Sequence, residues 1–370
     1  MRLHEWGDLK SGQRRCPSLS MECSPAQDII LHSVEPKIVE FPFSELSGPL
    51  TPCERFYIRN HFLAPTLKTK SYVLRVVGDV NYPLRLTLND LASMPQTSQA
   101  VVLECAGNNR GLLRKKYKGA QWTLGGVGCA LWTGVPLARI LELASPRERA
   151  IETIFIGADR GNVGHGTVNY ARSLPIQEAL RPEVLLANEM NGEALPEPHG
   201  GPLRLVVPGW YAMASVKWLT HIVVSRRRFT GHFQSVEYTY QTSRQDGFTE
   251  PKQVTRLHPK AQIARPVPAE TIPRASYYTI YGAAWGSAEA LTVEVSTDKG
   301  RSWNTVRVHP RRDRYAWSLW EYIWRTPDVS QRSVVLARAR NACQRQEING
   351  EISYDGYMVH KVEPVVVAVS

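Results

Sequence analysis

The chain has 370 residues, 43% hydrophobic and 21% charged, with a formal net charge of +11. That length calls for one very large domain or two ordinary ones, and that balance excludes a disordered chain. The positive charge suits an anionic substrate or an acidic redox partner, and no basic–aromatic motif of the nucleic-acid readers accompanies it, so no nucleic-acid partner is expected.

Residues 1–50 read as an N-terminal extension, mixed in charge, rich in Pro and Ser, and without sustained periodicity. Arg14-Arg15 precedes Cys16-Pro17-Ser18-Leu19-Ser20-Met21-Glu22, which is not an apolar leader core. No stretch has the apolar length that spans a bilayer, so no membrane partner is expected. The six cysteines, Cys16, Cys23, Cys53, Cys105, Cys129 and Cys343, form no C-x-x-C pair and no haem-attachment motif. They are too few for a disulfide scaffold in a chain this long. The expectation is a cytoplasmic protein, or a periplasmic one where a leader has been removed.

Residues 51–261 read as an α+β domain. Residues 71–77 suggest a strand closed by a turn at Gly78-Asp79, and 101–103 and 151–156 are short apolar runs of the buried-strand kind. The pattern predicts a helix over 135–144, with Pro136 in its first turn and Leu137, Ile140, Leu141 and Ala144 on one face. A shorter helix is predicted over 174–180, and a buried strand over 203–207, stopped by Pro208-Gly209. Pro259, Pro266, Pro268 and Pro273 crowd residues 256–274 and suggest a linker, with the domain boundary near Gln262. Strand candidates then follow at 277–282, 291–296, 303–308, 316–324, 334–341 and 365–369, with Asp298-Lys299-Gly300 as a turn. About seven short strands in roughly a hundred residues fit an immunoglobulin-like β-sandwich over 262–370.

Chemistry concentrates around Cys105, which ends the run Val101-Val102-Leu103-Glu104-Cys105-Ala106-Gly107-Asn108-Asn109-Arg110. A lone cysteine after an apolar run is most often a buried, inert thiol. A thiolate in a low-dielectric pocket is also a ligand for a transition metal. Arg204 is hard to explain as a solvated charge, because it sits inside an apolar run and an unpaired buried charge is costly. Lys217 and Asp159 alone would be ordinary surface charges, and Trp122 and Tyr238 ordinary packing aromatics.

Four segments stand in order: Phe56-Tyr57-Ile58-Arg59-Asn60-His61; Glu104 to Arg110; Pro198-His199-Gly200-Gly201-Pro202-Leu203-Arg204-Leu205-Val206-Val207-Pro208-Gly209; and Ser215-Val216-Lys217-Trp218. Together the chain over about residues 50–369 resembles the sulfite oxidase family of molybdenum enzymes. Tyr281-Gly282-Ala283-Ala284-Trp285, Val293 to Asp298 and Gly300-Arg301-Ser302-Trp303 resemble that family's dimerisation domain. The resemblance implies a molybdenum centre on a single molybdopterin, with Cys105 as the protein's metal ligand. It implies cofactor contacts from Tyr57, Ile58, Arg59, Asn60, His61, Asp159, His199, Arg204, Ser215, Val216 and Lys217. Around a small substrate oxyanion it implies Arg59, Arg110, Trp122 and Tyr238.

Three positions depart from the family's sulfite-oxidising members. Asn109-Arg110 stands where they have two arginines, Ala214 stands where an arginine precedes the Val-Lys-Trp triplet, and Asp355, aligned through Gly356, stands near their third pocket arginine. The resemblance implies oxygen-atom transfer, foremost sulfite to sulfate, with electrons passed to an external acceptor such as a cytochrome, and a homodimer. A reductase of a sulfoxide, N-oxide or nitrate is the alternative at the same centre, and a cofactor-free anion-binding or interaction protein is the alternative from another class.

Overall fold

The computed structural model of the chain describes residues 29–243, 248–287, 291–348 and 355–370. Residues 1–28 of the extension, with Arg14-Arg15, Cys16 and Cys23, lie outside these.

Residues 29–50 are not an extension. Ile30–Ser33 and Ile38–Glu40 pair with each other, and Ile38–Glu40 pairs with Ile58–Arg59. Phe41, Phe43 and Leu46 are buried in the main core. Glu40 is fully buried and accepts backbone N–H groups of Thr123 at 2.9 Å and Gly125 at 2.8 Å. The apolar residues of this stretch are irregularly spaced because it folds as short strands and one 3₁₀ turn, so no periodicity marks it.

Two five-stranded sheets build the first domain. One runs in the order Glu193–Ala194, Leu185–Met190, Val127–Pro136, Thr97–Glu104, with Arg204–Val206 also on Leu185–Met190. The other runs Leu84–Thr87, Val73–Gly78, Leu219–Ser225, Glu152–Asn162, Thr167–Pro175, where only the Val73–Gly78 and Leu219–Ser225 pair is parallel. Helix is scarcer than the sequence suggests. The α-helices among the described residues span eight residues at most. The expected helix at 135–144 begins at Leu137, because Val135 and Pro136 still pair with Leu186 and Leu185. Its face of Leu137, Ile140, Leu141 and Ala144 is buried as predicted. The one at 174–180 shrinks to Ile176–Ala179, since Thr167–Pro175 is strand.

The second domain has two sheets around a shared core. One is Lys260–Arg265, Tyr277–Trp285, Ser318–Arg325, Arg307–Val308; the other is Thr271–Ile272, Val365–Val369, Gln331–Arg340, Thr292–Ser296, Asn304–Thr305. Ile263, Ile280 and Trp320 of the first meet Val293, Val335 and Val367 of the second. The proline-rich stretch is therefore only partly a linker, because Lys260–Arg265 is already an ordered strand.

Strand Thr97–Glu104 decides where Cys105 points. Successive side chains face opposite ways along a strand. Ala100 and Val102 enter the main core, whereas Val101, Leu103 and then Cys105 enter a second cluster with Phe56, Tyr57, Trp122 and Trp132. Both faces are buried, which is why the run reads as continuously apolar.

Candidate active site

A cleft open to solvent lies beside Cys105. Its walls include Tyr57, Arg59, Asn60 and His61 from the short strand Ile58–Arg59 and its flanks, Asp159 from the second sheet, His199 and Arg204 from the glycine-rich segment, and Ser215, Lys217 and Tyr238. Residues as far apart in sequence as Tyr57 and Tyr238 thus line one cleft.

The sheet and Gly200 aim these groups. Arg204 and Val206 share one face of their strand, with Leu205 in the main core. The Arg204 guanidinium lies 4.8 Å from the Trp132 ring centroid and donates to His199 O at 2.8 Å, Ser215 O at 3.1 Å and Leu205 O at 3.4 Å. Gly200 is in the left-handed region at φ 106°, and a Cβ there would stand 2.8 Å from the Lys217 Cβ, so only glycine lets this loop close on Lys217. Asp159 sits in a register break between Ile156 and Arg160, where the bulge turns its side chain toward the cleft.

The cleft carries excess positive charge in a dry place. Arg204 is buried with no carboxylate partner among the described residues, and burial draws its pKa down to about 10. Lys217 Nζ donates to Pro198 O at 2.9 Å and to Asn60 Oδ1, and burial holds its pKa well below the ordinary lysine value. Arg59 adds a third cation, donating to Asn60 O. The facing acid is Asp159, which is buried with Oδ1 unpartnered. Desolvation raises its carboxyl to about 6, against the opposing pull of Lys217. Burial holds His61 well below 6.5 and takes His199 to about 4, so both are neutral at pH 7. His199 Nε2 lies 2.9 Å from Cys53 O; a carbonyl only accepts, so Nε2 carries the proton and Nδ1 is bare. The Tyr238 hydroxyl is 2.8 Å from His61 Nε2, and its phenol is pushed well above 10 by burial. Tyr238 holds φ 54°, a strained backbone for a non-glycine residue at a site.

Cys105 is nearly buried, with its N–H on Gly126 O at 2.8 Å. Among the described residues no group of three His, Cys, Asp or Glu could hold a metal ion. A metal at Cys105 must therefore take its other ligands from a cofactor or solvent. An anionic cofactor fits the residues present. Among the described residues Arg204, Lys217 and Arg59 form no ion pair within 4.0 Å and face the single carboxylate of Asp159, whose unpartnered Oδ1 is an acceptor for a cofactor N–H.

Some expected residues stand elsewhere. Arg110 does not line the cleft; its Nε donates to Gly356 O at 2.9 Å, and its guanidinium lies 5.0 Å from the Tyr357 ring centroid. Trp122 is fully buried behind Tyr57, edge-on with ring centroids 5.9 Å apart. The Val216 side chain belongs to the main core, and Ile58 is buried in the short sheet with Val39 as its pairing partner, so neither side chain faces the cleft. Asp355 is exposed and accepts Gln241 N–H at 3.4 Å, outside the cleft. Phe56, Leu103, Ala106, Tyr170, Ala212 and Met213 complete the lining and carry no chemical signature that sequence could show. Arg172 was missed although its signal matched that of Arg204. It is fully buried in strand Thr167–Pro175, it donates to Phe233 O and Val254 O, and its guanidinium is 5.8 Å from the Tyr238 ring centroid.

Residues 61–233 match the oxidoreductase molybdopterin-binding domain, and residues 252–348 match the Mo-co oxidoreductase dimerisation domain. The chain belongs to the sulfite oxidase family of molybdopterin oxidoreductases. It is 32% identical to the sulfite oxidase of Arabidopsis thaliana over 345 residues, covering 84% of this chain and 85% of that one. It is also 32% identical to the mitochondrial sulfite oxidase of Homo sapiens over 339 residues, covering 85% of this chain but 62% of the human protein. The chain thus spans less than two thirds of the length of the animal mitochondrial relatives. The sulfane dehydrogenase SoxCD of Paracoccus pantotrophus superposes with a TM-score of 0.77 at 25% identity, over 91% of this chain and 88% of that one. This member is an oxidoreductase whose cofactor is molybdenum on molybdopterin. Among the described residues no helix is long and apolar enough to cross a membrane.

Proposed function

We propose that the protein oxidises sulfite to sulfate and passes the electrons to a separate acceptor. The observation that carries the reading is a buried thiol, Cys105, at one wall of a cleft whose three cations outnumber its single carboxylate. When bound, the molybdenum cofactor supplies the oxygen-atom transfer and the two-electron redox change, with Cys105 as its protein ligand.

The protein's residues hold, orient and exclude. Arg204 and Lys217 bind the cofactor's anionic groups, and Asp159 Oδ1 and the bare His199 Nδ1 accept hydrogen bonds from it. Asn60 fixes Lys217, and Ser215 adds its carbonyl to the hold on Arg204. Arg59 and Tyr238 face the substrate; in the tautomer that carries the proton on Nε2, neutral His61 donates to the Tyr238 oxygen and leaves the phenol O–H to donate to a bound oxyanion. Trp122 backs Tyr57 and excludes water, and Arg110 with Tyr357 forms an outer layer. Asp355, standing outside the cleft, does not repel a dianion there.

The electron acceptor fits a basic rim. Arg114, Lys115, Lys116 and Lys118 are exposed on the loop that leads from Arg110. Gln121 Nε2 fixes that loop through Tyr117 O at 2.7 Å and Gly119 O at 2.8 Å. Such a platform favours an acidic cytochrome. The second domain, as an immunoglobulin-like sandwich, joins two copies. The four described cysteines, Cys53, Cys105, Cys129 and Cys343, are free thiols, which supports a reducing, cytoplasmic setting.

The deciding experiment measures sulfite-dependent ferricyanide or cytochrome reduction by molybdenum-replete protein. A sulfane donor runs beside it as a second oxidation, because the solved neighbour is named a sulfane dehydrogenase. Sulfoxide, N-oxide and nitrate run as reductions with a reduced dye. Sulfite turnover above all other arms is expected; turnover of another arm with none for sulfite refutes the substrate.

A further inference from the structure

The strand that delivers Cys105 ends in a carboxylate without access to water. Glu104 is fully buried, and both its oxygens are held. Oε1 accepts from Lys260 Nζ at 2.5 Å and Asn108 Nδ2 at 3.1 Å, and Oε2 accepts from Trp285 Nε1 at 2.8 Å. Lys260 Nζ also donates to Asn109 Oδ1 at 2.9 Å, and Gln262 Oε1 accepts from Asn109 Nδ2 at 3.3 Å. Lys260, Gln262 and Trp285 all belong to the second domain, on the paired strands Lys260–Arg265 and Tyr277–Trp285. Glu104, Asn108 and Asn109 bracket the turn Cys105-Ala106-Gly107 on both sides. The other hydrogen bonds on that turn are local or come from one residue each: Cys105 N–H on Gly126 O, Asn108 N–H on Cys105 O at 2.9 Å, Arg110 N–H on Gly107 O at 3.0 Å, Gly126 N–H on Asn108 Oδ1 at 3.0 Å, and Met358 N–H on Ala106 O at 2.8 Å.

We propose that Lys260 is a positioning residue for Cys105, so that the second domain completes the thiolate site as well as serving contacts between copies. The physical case is geometric. An ion pair this dry gains little net stability over a hydrophobic pair, because desolvation offsets the attraction. Its directional bonds instead fix the turn. One ammonium bonds a residue on each side of Cys105, and Trp285 fixes the remaining carboxylate oxygen. Removing the ammonium leaves a buried carboxylate without its counter-charge one residue before Cys105, and the turn must open to hydrate it. The proposal deepens the reading of Cys105 as the metal ligand, and its thiol-accessibility measurement stands without that reading.

The test uses Lys260→Met, Glu104→Gln, the double variant and, as a control, Arg338→Met, which breaks a 2.9 Å pair with Glu294 inside the second domain. In cofactor-free full-length protein, iodoacetamide alkylation of Cys105 is followed on its own peptide by mass spectrometry. The rate should rise at least about tenfold in Lys260→Met and about threefold in Glu104→Gln, and return to within about threefold of the original in the double variant, where no buried charge is left alone. In molybdenum-loaded protein, the g values of the Mo(V) paramagnetic signal should shift in Lys260→Met and not in Arg338→Met. An unchanged alkylation rate and signal in Lys260→Met overturns the proposal, as does the same result in Glu104→Gln where Lys260→Met does not fold. A fall in melting temperature common to Lys260→Met and Arg338→Met, with Cys105 unaltered, also overturns it.

Discussion

Arg204→Met separates the cost of a buried charge from its use. Burial draws the guanidinium about 2.5 below its ordinary pKa, to about 10. At 1.4 kcal/mol for each pH unit, keeping Arg204 charged costs the cofactor-free fold about 3 kcal/mol. Two good charge-assisted bonds, to His199 O and Ser215 O, return about 1.5 kcal/mol each. Met keeps the stem volume against Trp132 and loses both the cost and the bonds. The cofactor-free variant should therefore melt within a few degrees of the original protein. Cofactor binding should weaken by about 1.5–3 kcal/mol, roughly 10–150-fold, because one charge-assisted contact to an anion is gone. Calorimetry of cofactor-free and loaded protein, with molybdenum content measured by mass spectrometry, reads both sides. The melting-temperature gain on loading should shrink while the cofactor-free value stays. Unchanged molybdenum content with a large loss of cofactor-free stability would refute the reasoning and make Arg204 a structural residue.

Three further outcomes are expected. Cys105→Ser should keep the cofactor, which Arg204 and Lys217 hold independently, yet lose turnover by more than the roughly 10–100-fold typical of changes beyond the ligand shell; normal turnover would make the thiol structural. Asp159→Asn should stabilise the cofactor-free protein at pH 7 by an amount on the order of 2–3 kcal/mol, since burial raises this carboxyl to about 6. The sign follows from the raised pKa: the ionised form is penalised above pH 6, and the penalty fades as pH falls toward the unfolded value near 4. The stabilisation by Asn should vanish over that window in urea titrations, and a gain constant with pH would contradict it. Light scattering at micromolar concentration should give twice the chain mass, and a monomer would count against the second domain as a dimer interface.

The sequence alone determined the two-part organisation, the apolar strand ending in Cys105, and the ordered cationic motifs of the cofactor cleft. These are local signals. A charge inside an apolar run, as at Arg204, is costly wherever it folds, so it announces a partner without a structure. The tertiary structure decided which residues meet. Arg110 and Trp122 look like pocket residues from their motifs, but Gly356 and Tyr357 hold the first from the C-terminal segment, and Tyr57 screens the second. Asp355 looks like a pocket acid through its neighbour Gly356, yet its side chain is exposed and accepts the Gln241 N–H, outside the cleft lining. Phe41 and Phe43 were hidden in an apparent extension because short, irregular strands leave no period to read. The Glu104–Lys260 pair joins positions 156 residues apart. Each residue alone reads as an ordinary charge, and only the packing of the second domain's sheet against the Cys105 turn makes them one unit.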